Sequence, residues 1–326
     1  MSSTEQVRQT QIALEANGVG LATHARVDAN AVPACPLCHA RANRVAFRDN
    51  RCNLRVCANC DLFFVDPYPS VARQHHYVTA QNDQIELLDC ARRYEGERLY
   101  YDRHFASIAN ECSGARSLLD VGCGTGRLLE LFSHVPRLYC AGIELNPDAA
   151  AFAERVAGCE IFRVPLEDFR CDRRFDAITM INVFSHIPSF DQMFQSLRSL
   201  LSPAGKLILR TTEMSRNVSR WNQVHWGIPD DLQFMGLRTL EFICKKYGFS
   251  ILRRDRVPFE EELFHASRWE QMGRNSLQNG VKRAVVRVPG ALRILRNVYS
   301  GCVGQRLFVS FIVLTRAAAP AGEVEP

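Results

Sequence analysis

With 326 residues, 47% of them hydrophobic, the chain is long enough for one large domain plus a small one, or for two, around a substantial buried core. Its 40 basic and 35 acidic residues leave a formal charge of +5, an excess too mild to point to nucleic acid by itself. The polar opening Met1 to Thr10 lacks the apolar core of a signal peptide, and no stretch approaches the roughly 18 apolar residues of a membrane span, so the cytoplasm is the expected compartment and most of the 13 cysteines are expected to be reduced.

In chain order, residues 1–30 carry few large hydrophobes and read as an N-terminal arm. Next come Cys35-Pro36-Leu37-Cys38 and, after 18 intervening residues, Cys57-Ala58-Asn59-Cys60. Two such knuckles let four thiolates converge on a zinc ion, with Arg44 to Phe47 and Asn53 to Val56 as the hairpin strands between them. Four protein ligands close the metal to substrate, which makes it structural. A redox pair is the competing reading. Leu62 to Val65 then runs into the turn Asp66-Pro67-Tyr68-Pro69-Ser70. Residues 71–114 read as a helical lid or linker whose tyrosines and histidines, among them Tyr94, Tyr100, Tyr101 and His104, can line a pocket or simply pack.

From Leu118 onward strand and helix patterns alternate, as in a doubly wound parallel sheet. Strands are predicted at Ser117 to Val121, Leu138 to Glu144, Glu160 to Val164, Phe175 to Ile181, Leu207 to Thr211 and Phe249 to Arg253, with Leu307 to Thr315 as the seventh. Helices are predicted from Pro147, from Phe190 and from Leu237, the last ended by Gly248. Two insertions interrupt the pattern. Residues 214–236, with Trp221, His225 and Trp226, are expected over the carboxyl ends of the strands, where open α/β sheets bind ligands. Within 259–304, the segment 281–299 sets Lys282, Arg283, Arg287, Arg293 and Arg296 among apolar residues, a pattern that fits either a peripheral membrane contact or a solvated face over a packed one. The small, acidic end 317–326 reads as a disordered tail.

The chemistry concentrates in Asp120-Val121-Gly122-Cys123-Gly124-Thr125-Gly126. Arg127 stands where a dinucleotide fingerprint needs its third glycine, which disfavours NAD, and no Gly-Lys-Ser/Thr follows to make a P-loop. Glu144, 18 residues beyond Gly126 at the end of the second strand, can accept both hydroxyls of a ribose.

Over residues 115–255 these features resemble the class I S-adenosylmethionine-dependent methyltransferases. Motif I corresponds to Leu118 to Gly126, the acidic position after it to Glu144 in Ala141-Gly142-Ile143-Glu144, the fourth strand to Phe175-Asp176-Ala177-Ile178, and the turn before the fifth to Leu200 to Leu207. Cys35 to Pro69 is similar to the zinc-ribbon leader of a subgroup that acts in secondary metabolism or on surface polysaccharides and sugars. The resemblance implies an α/β fold, a doubly wound Rossmann-like seven-stranded methyltransferase sheet over 115–316 with a small N-terminal zinc ribbon over 31–70. It also implies S-adenosylmethionine as cofactor and a small-molecule or sugar acceptor.

By position, Gly122 and Gly124 would approach the amino acid part of the cofactor, Asp120 its ammonium or a neighbouring water, Glu144 the ribose, and Leu145 and Leu166 the adenine. Cys123, Gly126 and Asn182 complete the set. His186, where the family commonly has Glu-His but this chain has Ser185-His186, is a candidate general base or a structural member of the pocket. His225 is the second candidate. Asp231 stands where relatives frequently carry a histidine; there it, or Asp230, can orient an acceptor or cap the next helix. Two other readings stay open: an RNA methyltransferase using its arginines for phosphate contacts, disfavoured because Asn182-Val183-Phe184-Ser185 is not the aromatic run used on base amines, and a non-catalytic binding protein.

Overall fold

The computed structural model describes residues 32–48, 52–71, 87–215, 231–259, 284–303 and 307–317, with the isolated positions 74, 228 and 261. The expected arm (1–30), His225 with its flanking tryptophans, Asp230, Lys282, Arg283 and most of the tail lie outside the described residues. Two sheets organise what is described.

The cysteine segment forms β1 (Asn43–Arg48), β2 (Asn53–Cys57) and β3 (Phe63–Asp66), an antiparallel meander. A 25-residue helix α1 (Leu87–Glu111) follows. Then β4 (Ser117–Val121), α2 (Arg127–Ser133), β5 (Tyr139–Ile143), α3 (Pro147–Ala157), β6 (Glu160–Phe162), β7 (Phe175–Ile181), α4 (Phe190–Leu200) and β8 (Leu201–Met214) alternate as the hydrophobic pattern predicts. The chain ends with β9 (Gln233–Phe234), α5 (Thr239–Tyr247), β10 (Phe249–Pro258), α6 (Ala291–Val303) and β11 (Leu307–Arg316).

The main sheet has the order β10-β11-β8-β7-β4-β5-β6, parallel from β8 to β6, with β11 antiparallel to both β8 and β10. The seventh strand is thus inserted between the fifth and sixth rather than added at the rim. β8 is longer than its predicted core, because Leu201 already pairs with Phe175 across an irregularity before the regular register at Ala177 and Lys206. All five residues of β4 are buried, as expected of a strand covered on both faces. Alternation along it divides the core. Leu118 joins Ile108 of α1, Leu128 and Phe132 of α2 and Ala153 of α3 on one face. On the other, Leu119 and Val121 join Phe190, Met193 and Leu197 of α4 and Leu240 and Ile243 of α5.

Local chemistry sets the helix ends. Asn146 caps α3, its side chain accepting from the Ala149 amide at 2.6 Å, with Pro147 in the first turn. Ser189 caps α4 in the same manner.

The cysteine segment packs into the body. Cys35, Leu37, Cys57, Cys60, Leu62 and Phe64 share the core with α4 and α5. β9 adds to β3 as a fourth antiparallel strand, pairing Phe63 with Phe234 and Phe64 with Gln233. The Thr239 hydroxyl at the head of α5 donates to the Cys60 carbonyl at 2.9 Å, and Lys246 reaches the Leu37 carbonyl at 2.8 Å. Gly236 lies so close that a Cβ there would overlap the Asp61 carbonyl oxygen, which leaves room only for glycine.

Candidate functional site

Parallel neighbours β4 and β5 bring their carboxyl ends side by side, and the glycine turn bends back over the junction. The amides of Gly122 and Cys123 both donate to the Ile143 carbonyl, at 2.8 and 3.1 Å. The Glu144 carboxylate closes the junction, one oxygen accepting from the Gly124 amide and the other from Asn146, each at 2.9 Å. Each carboxylate oxygen has a second lone pair left for a ligand hydroxyl. Burial raises the pKa of Glu144 despite these bonds.

The glycines divide by role. A Cβ on Gly122 would strike the Val183 side chain, and one on Gly124, at φ +57°, would come 2.6 Å from Glu97 Oε1. Both line the cavity. Gly126, at φ +86°, instead packs against Ala153 of α3, where a Cβ would lie 2.7 Å from the alanine Cβ, and it does not line the cavity.

Behind the turn, Asp120 is buried, with Oδ1 accepting from the Thr179 hydroxyl at 2.7 Å and Oδ2 without a hydrogen-bond partner among the described residues. Burial pushes its pKa up to about 7, against the Thr179 bond and with the help of the Glu97 and Glu144 charges.

Helix α1 forms the third side and supplies residues that the sequence did not single out. Glu97 accepts from the Thr125 amide at 3.1 Å and its hydroxyl at 2.5 Å, and pairs with Arg93 one turn earlier at 3.1 Å. Burial raises the Glu97 pKa as well. The spacing of Arg93 and Glu97 on an amphipathic helix was the available signal. Arg127 ties α1 to α2, bonding Asp102 at 2.5 Å and Glu130 at 2.7 Å. The Gln74 amide nitrogen, buried and lining the cavity, also lacks a partner among the described residues.

The opposite wall follows β7. Asn182 adopts φ +59°, its amide donating to the Arg210 carbonyl at 2.8 Å and its side chain accepting from the Arg210 guanidinium at 2.9 Å. Arg210 in turn lies over the Tyr100 ring at 4.8 Å. His186 is 43% exposed, with Nε2 3.7 Å from an Asp231 carboxylate oxygen. Asp231 therefore faces the pocket histidine rather than capping α5, whose N-cap is Arg238.

These elements enclose a cavity of about 750 Å³. Of the sequence-predicted residues, Gly122, Cys123, Gly124, Glu144, Leu145, Leu166, Asn182 and His186 line it, whereas Asp120 and Gly126 sit behind the turn. Its ionisable lining is acidic, Glu97, Glu144 and Glu167 against Arg93 and His186.

Away from the cavity, the sulfur atoms of Cys35, Cys38, Cys57 and Cys60 all lie within 4.8 Å of one another, with Cys35 and Cys60 3.6 Å apart and Cys38 and Cys57 3.4 Å apart. Four thiolates at about 2.3 Å from one zinc ion stand about 3.8 Å from each other, so the cluster fits a tetrahedral metal.

A family model described as a methyltransferase domain matches residues 91–253. A ubiquinone biosynthesis O-methyltransferase of Xanthomonas axonopodis pv. citri is 34% identical over 114 residues, 33% of this chain and 47% of that protein. Its counterpart in Haemophilus ducreyi is 28% identical over 151 residues, 42% of this chain and 63% of that protein. The chain spans about half the length of the first of these relatives. Among solved structures, geranyl diphosphate C-methyltransferase from Streptomyces coelicolor A3(2) superposes with a TM-score of 0.49 at 13% identity, over 66% of this chain and 76% of that one.

Asp120 gives the ligand-free protein a defined pH response. Its pKa is higher folded than unfolded, so its contribution is fully present below about pH 4 and is lost as pH rises through about 7. Relative to Asp120→Asn, the wild type should lose up to about 4 kcal/mol of unfolding free energy across that window. Urea denaturation of both proteins from pH 4 to pH 8 measures it, and a constant difference would remove the raised pKa.

Proposed function

The chain belongs to the methyltransferase-domain family, and on that premise we propose that it transfers a methyl group from S-adenosylmethionine to an oxygen of a small metabolite or sugar. The observation that carries the reading is the acidic, glycine-cradled cavity with an unpaired Asp120 oxygen behind it. A ligand with a sulfonium and an ammonium group suits such a site, whereas a phosphate-rich polymer does not. When bound, the sulfonium supplies a methyl group activated for displacement. Glu144 holds the ribose hydroxyls, Gly122 and Gly124 admit the amino acid part against bare backbone, Cys123 and Asn182 line its path, and Leu145 and Leu166 flank the adenine. Asp120 balances the ammonium from behind the turn. Gly126 serves the cofactor indirectly, by docking the turn on α3.

The acceptor occupies the space toward Gln74, Tyr100 and His186. His186 removes the acceptor proton as the methyl group is transferred, and the Asp231 carboxylate stabilises the resulting imidazolium. The names of the relatives favour oxygen as the nucleophile. Glu144→Ala should weaken S-adenosylhomocysteine binding by about 10- to 100-fold, the value of one or two charge-assisted hydrogen bonds. His186→Ala should keep that affinity within about threefold while abolishing labelled-methyl incorporation into small phenols and sugars. Calorimetry and label transfer check both, and unchanged affinity in Glu144→Ala would refute the ribose assignment.

Zinc is the proposed occupant of the four-cysteine cluster, where it would cross-link the two knuckles. Cys57→Ser should lower bound zinc from about one ion per chain to none, read by elemental analysis, and should reduce the unfolding temperature. Full occupancy in that variant would exclude the four-thiolate site.

A peripheral membrane contact is proposed for α6. Its half-buried side carries Leu292, Arg296 and Tyr299, yet its outer side exposes Ile294 (64%) and Val298 (58%) next to Arg293. Residues 281–303 contain five basic side chains and no acid. Among the described residues no helix is long and apolar enough to cross a membrane, so the contact would be superficial. Sedimentation with vesicles rich in phosphatidylglycerol should retain the protein at low salt, and Ile294→Asp with Val298→Asp should release it. Equal retention of the double variant would rule this surface out.

A further inference from the structure

We infer that the cysteine ribbon positions the loop carrying His186, and that Gln233 is the residue through which it does so; the inference rests on the proposed role of His186. Gln233 belongs to β9, the strand that pairs with β3 immediately after the second knuckle. It is fully buried. Its amide nitrogen donates to the carbonyls of Phe184, at 2.7 Å, and Ile187, at 2.8 Å, which bracket His186. Its amide oxygen accepts from the Tyr68 hydroxyl, in the turn that leaves the ribbon.

The backbone runs in parallel with this side chain. The Leu232 amide donates to the Ser185 carbonyl at 2.8 Å, and the Val65 amide of β3 donates to the Leu232 carbonyl at 2.9 Å. Three carbonyls within four residues, Phe184, Ser185 and Ile187, are therefore held by Leu232 and Gln233, at the start of β9, which is held by the ribbon. A carboxamide suits the place. It offers two donors to two carbonyls and an acceptor to a phenol, and the fully buried side chain uses all three. Asp231 lies two residues before Gln233 on the same segment, so the tie that fixes the His186 loop also fixes the carboxylate opposite its imidazole.

A residue that merely filled space at this position would tolerate an isosteric apolar replacement without local consequence. A positioning residue would not. In Gln233→Met the orphaned carbonyls should lower the unfolding midpoint, but backbone amide exchange over residues 184–187 should accelerate at least tenfold more than exchange in β4 and β7, the His186 ring resonance should move, and S-adenosylhomocysteine affinity should stay near wild type. Tyr68→Phe, which leaves both amide donors in place, should give a smaller local acceleration of about two- to fivefold, and it stands as the deciding variant if Gln233→Met does not fold. Gln233→Glu keeps an acceptor for Tyr68 but offers at most one donor, and only as the neutral acid, so its acceleration at 184–187 should fall between those of Tyr68→Phe and Gln233→Met. Wild-type exchange over 184–187 in the folded variants would overturn the inference, as would an acceleration spread evenly over the whole sheet. Loss of S-adenosylhomocysteine binding by the wild-type protein would instead strike the cofactor reading and leave this exchange pattern to be judged separately.

Discussion

The Glu144 carboxylate joins the carboxyl ends of two adjacent parallel strands, and the geometry of the cavity depends on that junction. It accepts from Gly124 in the turn after β4 and from Asn146 in the turn after β5, so both turns are fixed by one charged group. A carboxylate buried at this depth needs such donors, because desolvation alone drives it toward the neutral acid. Bare backbone at Gly124 is the counterpart on the other side, since Glu97 already fills the space a side chain would take. Glu97 in turn satisfies the Thr125 amide at the head of α2, which couples the long helix α1 to the same turn.

The ribbon is bound to that core by more than its chain connection. Its cysteines pack with α4 and α5, and Gly236, Thr239 and Lys246 all meet its backbone or its knuckles. The Arg238 guanidinium adds an ion pair to Asp61 at 2.9 Å. A small four-stranded sheet has little apolar surface of its own to bury. Docking on α4 and α5 supplies part of what its size withholds.

Much of the sheet was legible because its information is local in sequence. Phe175 to Ile181 is a mostly apolar run, interrupted by Asp176 and Thr179, in a buried parallel strand, and its observed limits match the predicted ones. The glycine turn and Glu144 were legible as a spacing, and the two knuckles as another. What stayed hidden depends on distant partners. β9 has only two residues, too short for any period to register, and its strand character comes from β3, about 170 residues earlier. Glu97 reads as one polar position on an exposed helix face until α1 is laid over Thr125. Gly126 looked like its neighbours in the motif, yet its positive φ serves contact with Ala153, which spacing alone cannot distinguish from contact with a ligand.

Charge is the remaining constraint on what the cavity accepts. Asp120, Glu97 and Glu144 are buried near one another, and Glu97 and Glu144 both raise the energy of ionising Asp120. Removing any single negative charge would relieve the other two, yet all three stand around a turn where Arg93 is the arginine that, among the described residues, lines the cavity. Such a cluster is least costly when a positive ligand occupies it, because the ligand lowers the pKa of every carboxylate together. On the proposed reading the cation is the methyl donor itself, and its neutral demethylated product leaves a less favourable electrostatic balance in the cavity. On that reading the buried carboxylates favour the donor, which still carries the sulfonium charge, over the product.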